Sequence, residues 1–353
     1  MNQLFSERLK SARLLNGFSL QDLADRLSNV VSRQALHRYE KGEVLPDSTM
    51  IRELSTALNV QPDFFFRERN IILDKIEFRK FKKLPAKIEE QIIETVKDKL
   101  ARYLEIEEIL SIQTVFDNPL KDLHPIGSLS DIEAAASRLR AEWKLGTSCI
   151  ANCIELLEEN HIKVVEVDTD DFYDGMQTRV NDTIPIITIN KGIVKTTDRK
   201  RFTALHELAH LLLPLHGLTE KTRELYCHQF AAAMLLPAEV AIRELGKSRT
   251  KIYVPELGAL KKQYGISMQA IMMRARDLGI ISENYCRQFF FMMKQEDWRI
   301  TEPFPYIGEE KSTRFEQLVY RSLAEGLISY SKAAALNNQS VAELKKKISV
   351  SIP

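Results

Sequence analysis

The chain has 353 residues, of which 44% are hydrophobic, and this leaves room for two hydrophobic cores. Its 50 Lys and Arg nearly balance its 49 Asp and Glu, for a net charge of +1. No apolar stretch is long enough to span a membrane, no signal peptide is visible, and four cysteines give no disulfide framework, so we expect a cytoplasmic protein without a membrane partner. No glycine-rich phosphate loop is present, so no nucleotide ligand is expected.

The first 66 residues are predicted to form short helices joined by tight turns. An amphipathic helix over residues 5–15 precedes Gly17, and Ser19 and Ser32 stand where they can cap the next two helices. A fourth helix is expected over residues 47–58. Helices of this length and spacing are typical of a helix-turn-helix unit, whose second helix enters the major groove of DNA.

Three stretches of this region resemble the XRE-type (Cro/C1) repressor DNA-binding family: Ser19-Leu-Gln-Asp-Leu-Ala, Ser32-Arg-Gln-Ala-Leu-His-Arg-Tyr-Glu-Lys-Gly42 and Leu45-Pro-Asp47. The resemblance implies a double-stranded DNA operator as partner. It also implies a homodimer, because repressors of this class pair to read two half-sites. Six residues are thereby placed on the DNA side, namely Gln21, Ser32, Arg33, Gln34, His37 and Arg38. Arg33 and Gln34 suit guanine and adenine edges respectively; the alternative is that all six are ordinary solvated residues of a helix surface.

The charge distribution separates this region from the segment that follows it. Residues 1–66 carry eight Lys and Arg and eight Asp and Glu, so they exert no net attraction on phosphate. Residues 67–87 carry eight Lys and Arg against three acids, including Arg79-Lys-Phe-Lys-Lys83. This segment could add salt-dependent phosphate contacts or be a solvated linker.

A single long helix is predicted from Pro85 to Phe116. Its apolar stripe has near-heptad spacing and comprises Ile88, Ile92, Val96, Leu100, Tyr103 and Ile106 or Glu107. Such a stripe must be buried, either on the chain's own core or in the seam of a dimer. Residues 117–127 are rich in turn-forming residues and indicate a domain boundary.

The next segment predicts a small sheet flanked by helices. Helices are expected over residues 131–144 and 149–159, a strand over 161–167, and paired strands over 175–190. This mixture indicates the α+β class. Cys149 and Cys153 share a helix face and could bind a metal, but the composition favours buried thiols.

The motif His206-Glu207-Leu-Ala-His210 lies inside an apolar run from Phe202 to Leu213. Histidines four residues apart on a helix point the same way, so both imidazoles can reach one metal ion. Glu207, between them, is placed to take a proton from a metal-bound water. The pattern therefore predicts a zinc peptidase site.

A zinc site of this kind needs a third protein ligand and an open position for water. Glu224, Cys227 and His228 lie in a second helical segment that ends at Pro237. Carboxylate, thiolate and imidazole are all acceptable to zinc, so the chemistry of the residues leaves the third ligand open.

Together, the strand-like stretch 185–190, the His-Glu-Leu-Ala-His helix and the later Glu-x-x-Cys-His-x-Phe-Ala-x-x-x-Leu-Leu-Pro are similar to the ImmA/IrrE family of metallopeptidases over residues 126–293. That family usually has Ala and Asn where this chain has Cys227 and His228. The resemblance implies one Zn²⁺ per chain, held by His206, His210 and Glu224. It leaves His228 as an alternative ligand or as a partner that orients a ligand.

The resemblance further implies that Glu207 is the catalytic base and that the substrate is a partner repressor or regulator protein, in a stress, prophage or toxin–antitoxin setting. Tyr173 and Tyr226 are candidates to assist the oxyanion. We therefore expect a DNA-binding transcriptional regulator fused to a zinc-dependent endopeptidase. The alternative is a non-catalytic transcription factor or antitoxin whose peptidase-like domain only senses or binds a partner.

The complete prediction is an α+β protein with an N-terminal all-α helix-turn-helix domain, a long linker helix, and a mainly helical zincin-like metallopeptidase domain with a small β-sheet. The predicted boundaries are 1–66, 67–120, 121–300 and 301–353. In the last segment, Ser331-Lys-Ala-Ala-Ala-Leu336 and Ser340-Val-Ala-Glu-Leu344 predict two short capped helices. They faintly resemble a second helix-turn-helix but lack a clear recognition helix, so this segment is interpreted as a docking or regulatory tail.

Overall fold

The structure, a computed structural model, describes residues 2–67, 85–112, 115–169, 174–180 and 183–349. The basic run from Arg79 to Lys83 and the candidate Tyr173 lie outside these residues. Contacts divide the described chain into two compact units. The first unit comprises residues 2–67, 85–112 and 313–349, and the second comprises the described residues from 115 to 312.

The first unit is entirely helical. Its elements are α1 (Asn2–Leu15), α2 (Leu20–Arg26), α3 (Arg33–Glu40), α4 (Ser48–Ala57), a short 3-10 helix (Pro62–Phe66), α5 (Ala86–Ile109), α14 (Arg314–Ala324), α15 (Tyr330–Leu336) and α16 (Val341–Ile348). The two predicted caps are confirmed: the Ser19 side chain accepts from the backbone N–H of Asp22, and that of Ser32 accepts from the backbone N–H of Ala35. Leu23 and Leu36 enter a core shared by the first four helices.

The long helix α5 ends at Ile109, seven residues earlier than the expected end at Phe116. The reason is a left-handed residue after its cap, Ser111, with φ 54°. The apolar stripe from Ile92 to Ile106 is buried. It packs on α1 at one end and on α14 at the other. Within the first unit the chain's own helices therefore cover the stripe.

The second unit combines helices with a three-stranded sheet, and this confirms the predicted α+β class. Its elements are α6 (Leu129–Glu142), α7 (Cys153–Glu159), β1 (Lys163–Val167), β2 (Gly175–Val180), β3 (Ile184–Asn190), α8 (Thr197–Leu212), α9 (Glu220–Leu235), α10 (Ala238–Leu245), α11 (Val254–Tyr264), α12 (Met268–Asp277) and α13 (Glu283–Gln295). The sheet order is β1-β3-β2, with β1 parallel and β2 antiparallel to β3. One core joins the sheet to α8 and α9.

Among the described helices, none alone has both the length and the apolar composition needed to span a membrane. Only α9 and α10 taken together pass by length and composition, and a bend of 66° separates them.

Candidate metal centre and helix-turn-helix surface

Helix α8 carries the two histidines of the motif one turn apart. The Nε2 atoms of His206 and His210 lie 3.2 Å from each other, and the two rings meet edge to face at 77°. His206 is 9% exposed, and the rest of this turn of α8 is buried in the core of the second unit. The spacing of four residues thus produces the convergence that the sequence predicts.

Glu224 on α9 faces both histidines. Its Oε2 atom lies 3.2 Å from Nε2 of His206, and its Oε1 atom lies 3.2 Å from Nε2 of His210. Burial on its own would raise the pKa of the Glu224 carboxyl, but the hydrogen bonds to His206 and His210 outweigh burial and hold that pKa well below its usual range. The carboxylate is therefore charged and directed at the two imidazoles.

The donor set fits a zinc ion. For tetrahedral zinc with bonds of about 2.0–2.1 Å, neighbouring ligand atoms lie roughly 3.3–3.4 Å apart. The separations of 3.2 Å between the histidine nitrogens and from each nitrogen to a Glu224 oxygen are close to this spacing. Three groups that can each supply a ligand atom crowd one point, and a divalent cation could bind all of them at once.

His228 also reaches this centre. Its ring stacks on Phe202 at 25° and lies 4.4 Å, centroid to centroid, from the ring of His206. His206, Glu224 and His228 each offer one ligand atom within 4.8 Å of the others. Burial, with the neighbouring His206 acting in the same direction, lowers the pKa of His228 to about 4. The ring is therefore neutral at physiological pH and keeps a nitrogen able to bind a metal.

Cys227, the third candidate ligand, points elsewhere. Its side chain is fully buried in the core of the second unit. Burial, followed by the negative charge of Glu224, raises the pKa of the Cys227 thiol above its ordinary value. A thiol held protonated in an apolar core is a poor metal ligand, because thiolate is the binding form.

Glu207 lies between the histidines and faces the sheet. Burial is the main reason that its pKa is raised to about 8, and the carboxylates of Glu224 and Asp174 act in the same direction. The first residue of β2, Gly175, makes room for it, since a Cβ there would lie 3.0 Å from Cγ of Glu207. Our sequence reasoning missed Gly175; the available signal was a glycine at the start of a strand.

A cavity of about 900 Å³ borders the centre on the side of His228. Apolar side chains from four helices line part of it, among them Phe202, Leu225, Met273 and Phe290. Tyr226, a candidate for the oxyanion, donates its hydroxyl hydrogen to the carbonyl oxygen of Gly127 at 2.9 Å. That hydroxyl is thus already engaged in the structure.

The six residues assigned to the DNA side, namely Gln21, Ser32, Arg33, Gln34, His37 and Arg38, are all exposed in the first unit. Five of them belong to α3 or its cap. Arg13 of α1 holds the end of α3 through two bonds to Glu40, at 2.6 Å and 2.9 Å. The exposed face of α3 is therefore presented by a fixed helix.

Residues 157–276 match the family model of the IrrE N-terminal-like domain, and residues 9–65 match that of the helix-turn-helix. The chain joins an XRE-type helix-turn-helix domain to an IrrE-like domain. The helix-turn-helix match contains α2 to α4, and the IrrE-like match contains the sheet together with α8 and α9. All four side chains of the candidate metal centre therefore lie inside the IrrE-like domain.

The chain is also similar to a curated protein, the SPbeta prophage-derived uncharacterized HTH-type transcriptional regulator YonR of Bacillus subtilis (strain 168). The two are 39% identical over 64 residues, which is 18% of this chain and 57% of YonR. The chain thus spans little more than half the length of that relative.

The structure brings His206, His210, Glu224 and His228 of the IrrE-like domain together and leaves Cys227 apart in the core. Cys149 is exposed and Cys153 is buried in α7, where burial raises the pKa of its thiol to about 12. The predicted domain boundaries at 120 and 300 remain predictions. Residues 313–349 belong to the unit that contains the helix-turn-helix domain.

Proposed function

We propose that this chain is a DNA-binding transcriptional regulator whose IrrE-like domain is a zinc-dependent endopeptidase acting on a partner regulator protein. The observation that carries the proposal is the approach of the Glu224 carboxylate to Nε2 of both His206 and His210, at 3.2 Å in each case. Two imidazoles and one carboxylate form a ligand set that catalytic zinc uses, with one position left for water.

In this proposal His206, His210 and Glu224 hold one zinc ion. The bound ion supplies Lewis acidity and lowers the pKa of water to about 7. Glu207 would accept the proton of the attacking water and deliver it to the leaving nitrogen of the peptide. Without an ion its pKa is raised to about 8, and the positive charge of bound zinc would lower that pKa and favour the ionised base. Gly175 supports this role, because the space it leaves lets the Glu207 side chain lie beside the two histidines.

The helix-turn-helix domain supplies the DNA partner. Exposed Arg33 and Gln34 stand at the start of α3, where a recognition helix contacts base edges. The balanced charge of residues 1–66 gives this domain little general attraction to phosphate, so its binding would depend on the contacts of α3. We expect a homodimer, because regulators of this kind pair so that each copy binds one half-site of the operator. The similarity to YonR, whose name describes a transcriptional regulator, supports the same role.

One observation favours a second candidate function. His206, Glu224 and His228 each offer one ligand atom within 4.8 Å of the others. If His228 bound the ion in addition to His206, His210 and Glu224, four protein ligands would fill a tetrahedron and leave no position for water, as in structural zinc sites. The IrrE-like domain would then sense or bind a partner without cleaving it.

Two measurements test the proposed zinc site. Elemental mass spectrometry on the chain and on His206→Ala/His210→Ala should find one zinc in the first and none in the second. X-ray absorption on the zinc-loaded protein should find three protein ligands and one water; four protein ligands would favour the sensing function.

Cleavage is tested with Glu207→Gln, which keeps the size of the side chain and all three ligands. We expect new protein N-termini, detected by mass spectrometry, in cells that express the natural chain and not in cells that express the variant. Identical N-termini with both chains, at equal zinc content, would contradict the endopeptidase.

A further inference from the structure

The last three helices of the chain repeat the architecture of the helix-turn-helix domain. Helices α2 and α3 have seven and eight residues, and so do α15 and α16. A serine side chain caps each of the four helices. The loop before each pair contains a glycine in the left-handed region, Gly17 with φ 64° and Gly326 with φ 72°. The turn inside the second pair contains left-handed Asn338, with φ 50°.

The buried positions repeat as well. In α2 the fourth and fifth residues are buried Leu23 and Ala24, and in α15 they are the buried pair Ala333–Ala334. In both second helices the fourth residue is a leucine with 0% exposure, Leu36 in α3 and Leu344 in α16. The alanines of the first helix leave room for the buried leucine of the second helix. The two pairs therefore present equivalent faces to solvent.

This equivalence assigns a role to the exposed side of α16. Lys345 and Lys346 occupy the positions of His37 and Arg38 of α3, and all four side chains are exposed. Val341 and Ala342 occupy the positions of Arg33 and Gln34, so they offer no hydrogen bonds to base edges. The helix can contact DNA by charge but has little means to read its sequence.

The charge of this segment suits phosphate. Residues 314–349 carry six Lys and Arg against three acids, whereas residues 1–66 are balanced at eight and eight. Of the acids, Glu343 is held in the capping box of Ser340 and Glu325 bonds to Arg321. The run Lys345-Lys346-Lys347 thus leaves α16 with an excess of positive charge.

We propose that α14, α15 and α16 form a second helix-turn-helix that binds double-stranded DNA through phosphate contacts of Lys345 and Lys346. This site adds affinity for DNA without sequence preference, while α3 reads the operator. It does not depend on the metal or on cleavage.

The test uses the full chain and a fluorescent duplex of random sequence, with binding measured by anisotropy at several salt concentrations. Each phosphate contact contributes about 0.9 to the slope of log affinity against log salt, so Lys345→Gln/Lys346→Gln should reduce the slope by roughly 1.8. Lys247→Gln/Lys294→Gln is the matched control, since it removes two exposed lysines from the second unit and should leave the slope unchanged.

A third variant separates charge from folding. Lys345→Arg/Lys346→Arg keeps both charges and should bind as the natural chain does. An unchanged slope in Lys345→Gln/Lys346→Gln would overturn the proposal. Equal loss of slope in the glutamine and arginine variants would also overturn it, because lost packing of α16 and not lost charge would then be the cause.

Discussion

Gly175 leaves open the space beside the Glu207 side chain where the sheet meets α8. A Cβ on Gly175 would lie 3.0 Å from Cγ of Glu207 and 2.6 Å from Cγ2 of Thr203. Both distances are shorter than ordinary carbon–carbon contacts of about 3.5–4.0 Å, so a side chain here must displace its neighbours. The first residue of β2 thus decides where the proposed base can lie.

Gly175→Ala should therefore reduce cleavage while zinc is retained. A misplaced catalytic group can cost about a hundredfold in rate, so we expect a loss of roughly tenfold to a hundredfold. Cleavage of the regulator protein found in the N-terminus experiment would be the readout, with zinc content measured in parallel. Adding Thr203→Ser removes the nearest clashing methyl group and should restore part of the activity. Full activity in the single variant would show that Glu207 tolerates the displacement.

The third ligand can be identified by comparing two substitutions of similar size. Glu224→Gln replaces the carboxylate that faces both histidines, and we expect it to lose zinc on dialysis against a chelator. His228→Asn introduces the residue usual in the ImmA/IrrE pattern and should retain zinc, with affinity reduced by about tenfold to a hundredfold if His228 orients a ligand. Zinc content, measured by elemental mass spectrometry on both variants, shows whether Glu224 or His228 is the third ligand. If Glu224→Gln retains zinc and His228→Asn loses it, His228 is the ligand.

A buried ion pair should control the stability of the second unit. The side chains of Arg201 and Glu310 are 0% and 1% exposed and bond to each other. Glu310→Gln would leave the guanidinium charge buried without its partner, which costs about 3–5 kcal/mol. The neighbouring Glu309 forms an exposed pair with Lys311, so Glu309→Gln is a matched control that should hardly change stability. Urea unfolding followed by intrinsic fluorescence measures both, and equal midpoints would contradict the expected role of the buried pair.

Sequence reading by α3 should depend on Arg33. An arginine bonded to guanine contributes about 1–3 kcal/mol of discrimination, so Arg33→Ala should relax the base preference at one position of each half-site. Selection from a random DNA library, performed with the natural chain and with the variant, measures this preference. Arg52→Ala removes an exposed arginine of α4 and should leave the selected sequence unchanged. If both variants select the natural operator, Arg33 does not read a base.

Much of the local structure could be predicted because its causes lie within a few residues of one another. Ser19 and Ser32 cap α2 and α3 as expected, since a serine that accepts a bond three residues later acts within a single turn. His206 and His210 converge for the same reason, because a spacing of four residues aligns side chains on any helix. The end of α5 was misplaced, because the apolar pattern continues past Ser111, where the backbone turns.

The sequence by itself determined the two domains, the α+β class of the chain and the pair of histidines, through periodicity and capping that act over one or two turns. Only the tertiary structure decided which of three neighbouring residues faces those histidines. Helix α9 turns Glu224 and His228 towards α8 and Cys227 into the core, and this rotation is set by how the two helices pack. The tertiary structure likewise decided the role of Gly175 and the burial of α5 against α14. Such contacts join segments far apart in the chain, and no local pattern records which of them will meet.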